Sequence, residues 1–431
     1  MDPRSGAART LASLTLLLAA SAVAAPPNPP QPPAAAAAKT GSDAGAEQLA
    51  REDGVSVQEA KRRLDQQREI ADFLSTSEIT QEPGFVELFV RHKPYQIVLS
   101  FDRSVSTPAL MQKVPVSLRS SVIIEGNGRS RAAQNASIRE LTTALAPLSG
   151  KFAVGYSPER KLFLIDTADE AAAAAARGLI PESLRSSVVI NAGALPQPTV
   201  STTAVPTGVV AGDWVEAGYG TARSDKTAAC TAAFPITFGT SLKGFLTAGH
   251  CYPAANTIVY STHVVTFPDA YAAYNSGNYD YAIFRSDGLS SDYQMYYFNN
   301  RGTAGYASSG WLNTKNFVRL ANQWVGMYAC KSGATTGITC ATTSSLNYDW
   351  GRPGAVFVRW VSGTATSYIA DYGDSGSPTF ITLDSTRPSD VSAVGIMVGG
   401  HAQEADGYVG VYMPIDRVFD HVAGVKLITS P

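Results

Sequence analysis

The spacing of apolar positions changes along the chain, and each change predicts an element. From Ala46 to Leu74 apolar residues recur at helical intervals. Ser56 reads as an N-cap there, with Glu59 three positions on as its capping-box partner. Lys61, Arg62, Arg63, Arg68 and Glu69 are then expected on solvated faces. Phe85 to Val90 and Tyr95 to Phe101 are apolar runs of strand length. Ser137 to Leu148 reads as a helix, and Phe152 to Ile165 as a hairpin turning at Ser157-Pro158-Glu159. Ala168 to Ala176 reads as another helix and Ser186 to Ile190 as another strand. Together these predict an α+β module over residues 45–191.

The pattern then breaks. Ala192 to Gly208 is rich in Ala, Pro, Thr and Gly and carries no charge, the composition of a linker. Beyond it, β-branched and aromatic runs alternate with Gly, Ser, Asn and Asp: Gly244 to Thr247, Tyr281 to Arg285, Val356 to Val361, Val391 to Val398 and Tyr408 to Met413. Many short strands with turn signals predict an all-β barrel or sandwich, here closed by a helical stretch at Asp416 to Val422. No sequence repeat of fixed period is visible.

Composition adds limits. The chain has 431 residues, 45% hydrophobic and 16% charged, which is ample for packed cores. A net charge of -2 without a block of like charge argues against nucleic acid or an anionic membrane as partner. At the start, Arg4 and Arg9 precede a short apolar run, Leu11 to Ala20, and Ala22-Val23-Ala24 offers a cleavage site. Residues 1–24 are thus expected to be a signal peptide and the protein secreted. Pro26 to Ala38 is a Pro/Ala spacer. All four cysteines, Cys230, Cys251, Cys330 and Cys340, lie in the second half, where a secreted chain would hold them as disulfides.

Three short segments carry candidate chemistry. Ser375 sits in Gly373-Asp374-Ser375-Gly376-Ser377-Pro378, where glycines permit a sharp turn that exposes a hydroxyl and aims main-chain N–H groups at one point. A serine hydroxyl needs an adjacent base. His250, in Thr247-Ala248-Gly249-His250-Cys251, has the side chain for that role and a cysteine to pin it. Asp280 enters an apolar strand, Tyr281-Ala282-Ile283-Phe284, where a carboxylate needs a partner such as an imidazole N–H. His92, His263, His401 and His421 lack a comparable setting and read as structural. Asp269, Asp287 and Asp292 sit in turn-like sequence.

These segments, in the order His, Asp, Ser, resemble the three signatures of chymotrypsin-like serine peptidases. Cys330-Lys331-Ser332-Gly333 through Cys340 resembles a loop of the bacterial streptogrisin-like and α-lytic-like branch, and the likeness covers roughly Val209 to Ile428. It implies two six-stranded antiparallel barrels with a C-terminal helix, His250, Asp280 and Ser375 as triad, and Gly373 and Ser375 N–H groups as oxyanion hole. It further implies disulfides Cys230–Cys251 and Cys330–Cys340 among the three possible pairings, and a Lys331–Asp374 ion pair. Ile369, Val398, Gly399, Gly400 and Gly410 would line an apolar, open pocket that accepts a large hydrophobic residue before the cut. Residues 25–208 would form a pro-region that assists folding and blocks the cleft, leaving 209–431 as the peptidase domain. The expected partners are protein or peptide substrates and the pro-region itself, for a monomer without cofactor or metal. Ser377 and the absence of a cysteine from Tyr368 to Tyr372 depart from the family pattern.

Other classes fit less well. An esterase of the α/β-hydrolase type needs the order Ser, acid, His and a G-x-S-x-G elbow, which Ser377 breaks. A metallo-hydrolase needs a ligand cluster such as H-E-x-x-H, which the sequence lacks. An inert binding protein on the same fold is the remaining alternative.

Overall fold

Gly54, at φ +71°, splits the first helical pattern into two helices, Gly41–Asp53 and Val57–Thr76. The second begins where Ser56 Oγ accepts the Glu59 N–H at 3.1 Å, as an N-cap does. The Glu59 carboxylate does not reach back to complete a box; it binds Arg62 and Arg63. Arg63 is not on a solvated face, contrary to expectation. It is buried, holds Asp53 at 2.6 Å, and lies over the Tyr95 ring. Asp53 and Glu59 both point at it, so its charge is compensated without water.

The computed structural model describes residues 41–198, 214–218, 226–239, 242–252, 258–261, 266–267, 270–285, 294–298, 309–333, 335–350, 357–362, 368–382, 389–405 and 407–431. The expected leader and spacer and the expected junction at 208/209 lie outside the described residues. So do His263, Asp269, Asp287 and Asp292.

Two small sheets follow the helices. Phe85–His92 and Tyr95–Phe101 form a hairpin, and Val122–Glu125 joins in parallel after the helix Thr107–Lys113. Phe152–Ser157 and Leu162–Thr167 form a second hairpin, joined in parallel by Val188–Ala192 after the helix Glu170–Leu179. Each sheet is preceded by a helix, Val57–Thr76 or Arg131–Ala144. The same element order therefore occurs twice, although the sequence shows no repeat. Strand burial is continuous rather than alternating, because both faces are covered.

Among the described residues of the second half, the regular structure is β apart from the last helix and short 3₁₀ turns. Its first group pairs Ala270–Ser276, Tyr279–Arg285, Leu242–Thr247, Pro235–Phe238 and Lys426–Leu427 in one sheet. Thr266–Phe267, Ile258–Ser261, Trp214–Gly218 and Lys226–Thr231 form another. Among the described residues these two sheets do not join into a single ring. The second group does close. Asp390–Glu404, Pro378–Thr382, Tyr328–Gly333, Gly337–Tyr348, Phe357–Ser362 and Gly407–Pro414 form a six-stranded antiparallel barrel.

One pairing departs from the all-antiparallel expectation. Ser309–Phe317 runs parallel to Asp390–Glu404 at Asp390 to Ala393. Gly407–Pro414 pairs only from Gly395 onward, so the earlier residues offer a free edge that this strand covers. After the helix Asp416–His421, Lys426–Leu427 returns to the first group.

Residues 38–431 form one compact unit, and polar ties join its halves. Val90 N–H donates to Val325 O, and Val154 exchanges two backbone bonds with Asp349. Gln67 binds both backbone groups of Tyr328. Arg359, fully buried, holds Asp166 at 2.5 Å and Glu404 at 2.6 Å, while Tyr348 donates to Asp166 at 2.7 Å. No described helix is long and apolar enough to cross a membrane.

Candidate active site

The strand Leu242–Thr247 ends in a single 3₁₀ turn, Gly249–Cys251. Only glycine fits at position 249, since a Cβ there would lie 1.9 Å from Tyr274 O. The Cys230–Cys251 disulfide then ties this turn to the strand Lys226–Thr231. His250 is thus held from both sides. Asp280, second residue of Tyr279–Arg285, is wholly buried next to it. Its carboxylate receives the His250 main-chain N–H at 2.9 Å and faces Nδ1 at 2.9 and 3.0 Å.

Ser375 comes from the other group, on the turn before Pro378–Thr382. Gly376 has φ +88°, and a Cβ there would sit 2.1 Å from Thr231 O. Thr231 N–H donates to Ser375 O at 2.7 Å, Thr231 Oγ1 to Gly373 O at 2.8 Å, and Thr247 Oγ1 to Thr231 O at 2.8 Å. These two threonines tie the serine turn to the histidine turn. The sequence reading passed over them, although Thr247 heads the histidine segment and Thr231 follows Cys230. The result is a chain of three groups: Ser375 Oγ lies 2.7 Å from His250 Nε2. For Nε2 to accept from the serine, the ring proton must sit on Nδ1, which then donates a hydrogen bond to the Asp280 carboxylate.

Asp374 is buried beside the serine and is not left bare. It meets Lys331 Nζ at 3.2 Å, the Thr335 and Thr336 N–H groups at 2.8 and 3.2 Å, Thr336 Oγ1 at 2.7 Å and Asp371 N–H at 2.9 Å. Burial draws the Lys331 pKa below its ordinary value, against the pull of Asp374. Gly333 leaves space for the pair, as a Cβ there would lie 2.2 Å from Asp374 Oδ1. Lys331 follows Cys330, which is bonded to Cys340. Gly373, at φ +105°, begins the turn whose N–H groups at Gly373 and Ser375 were expected to hold an oxyanion.

The expected pocket positions lie near one another, and described side chains pack closely against them. Ile369 and Val398 are buried in the core. A Cβ at Gly400 would meet Ala370 O at 2.6 Å, one at Gly410 would meet Trp360 Nε1 at 2.2 Å, and one at Gly399 would meet Trp350 Cζ2 at 2.8 Å. The space these glycines leave is taken by Ala370, Trp360 and Trp350, so they do not by themselves make a roomy cavity. Beside them His401, at φ +53°, stacks on Tyr368 and bonds Asp371 through Nδ1 at 2.9 Å. Two further histidines read as structural have partners, His92 with Asp53 and His421 with Tyr281. Among the described residues no group of three His, Cys, Asp or Glu could hold a metal ion.

Two bacterial proteins are similar to part of the chain. Streptogrisin-C of Streptomyces griseus is 29% identical over 209 residues, 47% of this chain. Streptogrisin-A of the same organism is 26% identical over 185 residues, 41% of this chain. Part of the chain is therefore similar to bacterial serine peptidases of the streptogrisin kind. It spans 38% and 51% of the length of those two relatives. Among solved structures, Thermobifida fusca Protease A is 21% identical with a TM-score of 0.37, covering 52% of this chain and 100% of its own. Cellulomonas bogoriensis chymotrypsin is 23% identical with the same TM-score and the same coverage. No protein-family model matches the chain.

Proposed function

We propose that the protein is a secreted serine endopeptidase made as a precursor, with His250, Asp280 and Ser375 as its catalytic triad. The observation that carries this reading is the continuous contact Ser375 Oγ–His250 Nε2 and His250 Nδ1–Asp280. Ser375 attacks the scissile carbonyl while its proton passes to His250 Nε2; the same proton then goes to the leaving amine, and water repeats the sequence on the acyl-enzyme. Asp280 keeps the imidazole in the needed tautomer and offsets the charge it gains. The N–H groups of Gly373 and Ser375 take the oxyanion. The Lys331–Asp374 pair, on this reading, holds their turn in place.

The N-terminal half is read as a pro-region that assists folding and blocks the cleft. Supporting this, Gln197–Pro198 pairs antiparallel with Gly399 and Gly400, beside the serine turn. The many ties across the two halves give slowly folding, non-local strands a surface to form on. Substrates are proteins or peptides, with a preference for large apolar residues before the cut; the absence of a carboxylate at Ile369 supports an apolar residue, and a large one needs room beyond the glycines that Trp350, Ala370 and Trp360 pack against. Casein hydrolysis by the secreted protein, alongside Ser375→Ala, tests the activity. Turnover should fall by orders of magnitude in the variant; equal turnover would remove Ser375 from the chemistry. N-terminal sequencing of both secreted proteins tests whether maturation is self-catalysed.

A further inference from the structure

Trp350 has a contact that the triad does not explain. It follows the strand Gly337–Tyr348, is buried, and packs edge-on against Phe357 at 5.6 Å. Its indole lies over Gly399, whose missing side chain makes the room. Its Nε1–H donates to Pro196 O at 2.8 Å. Pro196 precedes the two residues paired with Gly399 and Gly400, so one extended segment is held by a strand edge and by an indole. The segment runs antiparallel to the strand, from Gly400 toward Met397, whose backbone bonds Gly376 and Ser377, the two residues after Ser375. Ala194 and Leu195 are buried among apolar residues and anchor the start of the segment, whereas Gln197 and Pro198 are exposed, so its end is held by main-chain pairing and the donor from Trp350. Neither device reads a side chain. Any extended polypeptide laid on the same edge in the same direction would offer the same carbonyl.

We propose that Trp350 is a substrate-binding residue. Once the segment Ala194 to Pro198 has left the edge, the indole N–H takes the main-chain carbonyl of the residue just before the one opposite Gly400. This rests on the peptidase reading of the site. It makes the enzyme prefer substrates that extend several residues on the amino side of the cut. It also makes Trp350 a shared ligand of substrate and pro-region, so the two compete for one donor.

Trp350→Phe keeps a ring over Gly399 and removes the N–H. The secreted, processed protein and this variant are given fluorogenic peptides lengthened one residue at a time on the amino side, with active sites counted by titration. In the parent, kcat/KM should step up at the length that brings the carbonyl under the indole. That step should shrink roughly threefold to tenfold in the variant, the range for one neutral hydrogen bond, with shorter peptides unaffected. An even loss at all lengths, or no loss, overturns the proposal. A labelled peptide of residues 193–198 provides a binding readout on protein blocked at Ser375. If the parent cleaves nothing yet binds this peptide and Trp350→Phe weakens that binding, the peptidase reading fails and the assignment of Trp350 stands. Equal binding by both proteins rejects the assignment.

Discussion

Replacing Lys331 by methionine tests how the serine turn is held. The side chains are similar in length, so the change removes charge and donors rather than volume. Nζ is fully buried and bonds Asp374 Oδ2 at 3.2 Å, Gly337 O at 3.0 Å and Thr336 Oγ1. Removing one partner of a buried pair typically costs about 3–5 kcal/mol, because the other charge is left uncompensated. Asp374 keeps four other donors, from Thr335, Thr336 (two) and Asp371. These place the cost at the low end, about 3 kcal/mol, still a large share of the roughly 5–15 kcal/mol that stabilises a domain. The assay is urea unfolding of the secreted full chain in a Ser375→Ala background, which prevents self-digestion. Lys331→Met should lower the midpoint, and adding Asp374→Asn should recover part of the loss, since no bare charge then remains. In the active background kcat/KM should fall, because Asp374 stands between Gly373 and Ser375. A midpoint and a kcat/KM both unchanged by Lys331→Met would refute the reasoning.

Further outcomes follow from other contacts. Asp166→Asn should destabilise the uncleaved chain by about 3 kcal/mol, because Asp166 faces Arg359 and accepts from Tyr348 and Asn191; if residues 25–208 are removed as proposed, the processed protein should be indifferent to the same change made in its precursor, as urea midpoints of both will tell. His92 places Nδ1 against Asp53 and Nε2 against Gly326 O, two acceptors that suit an imidazolium, with Arg63 opposing and Tyr95 edge-on. Burial works against that charge, but Asp53 and the Gly326 carbonyl outweigh it and raise the pKa. The contribution to stability is therefore full below about 6.5, the value of an unfolded histidine, and is lost as pH rises through the raised value. The uncleaved Ser375→Ala chain should lose stability from pH 6 to 9, and His92→Gln should flatten that slope; parallel profiles would reject the role. Gly376→Ala should abolish proper assembly of the serine turn, since the new methyl meets Thr231 O and the φ is left-handed; a secreted variant with parental kcat/KM would contradict this.

What the sequence made legible depended on local rules. Ser56 as N-cap, the hairpin from Phe152 and the strand from Tyr95 to Phe101 all follow from spacing and turn chemistry within a few residues. The three signature segments likewise carry their meaning locally, and the structure brings His250, Asp280 and Ser375 within hydrogen-bond distance. What was not legible is what distant segments do to one another. Arg63 looks like a surface residue until Asp53 and Tyr95 close over it. Gly399, Gly400 and Gly410 read as open space because composition cannot say that Trp350, Ala370 and Trp360 fill it. The parallel contact of Ser309–Phe317 arises from a free edge that exists only once the barrel has closed. The doubled helix–strand–strand–helix–strand order has no sequence counterpart, since packing constrains shape and not residue identity.

The most direct measurement is labelling of the secreted protein with a fluorophosphonate, followed by peptide mass spectrometry. The account predicts one adduct, on Ser375, that vanishes in Ser375→Ala and is strongly slowed in His250→Ala, together with loss of peptide hydrolysis in proportion to the label. Labelling at another residue, or full hydrolysis after Ser375 is replaced, would contradict it.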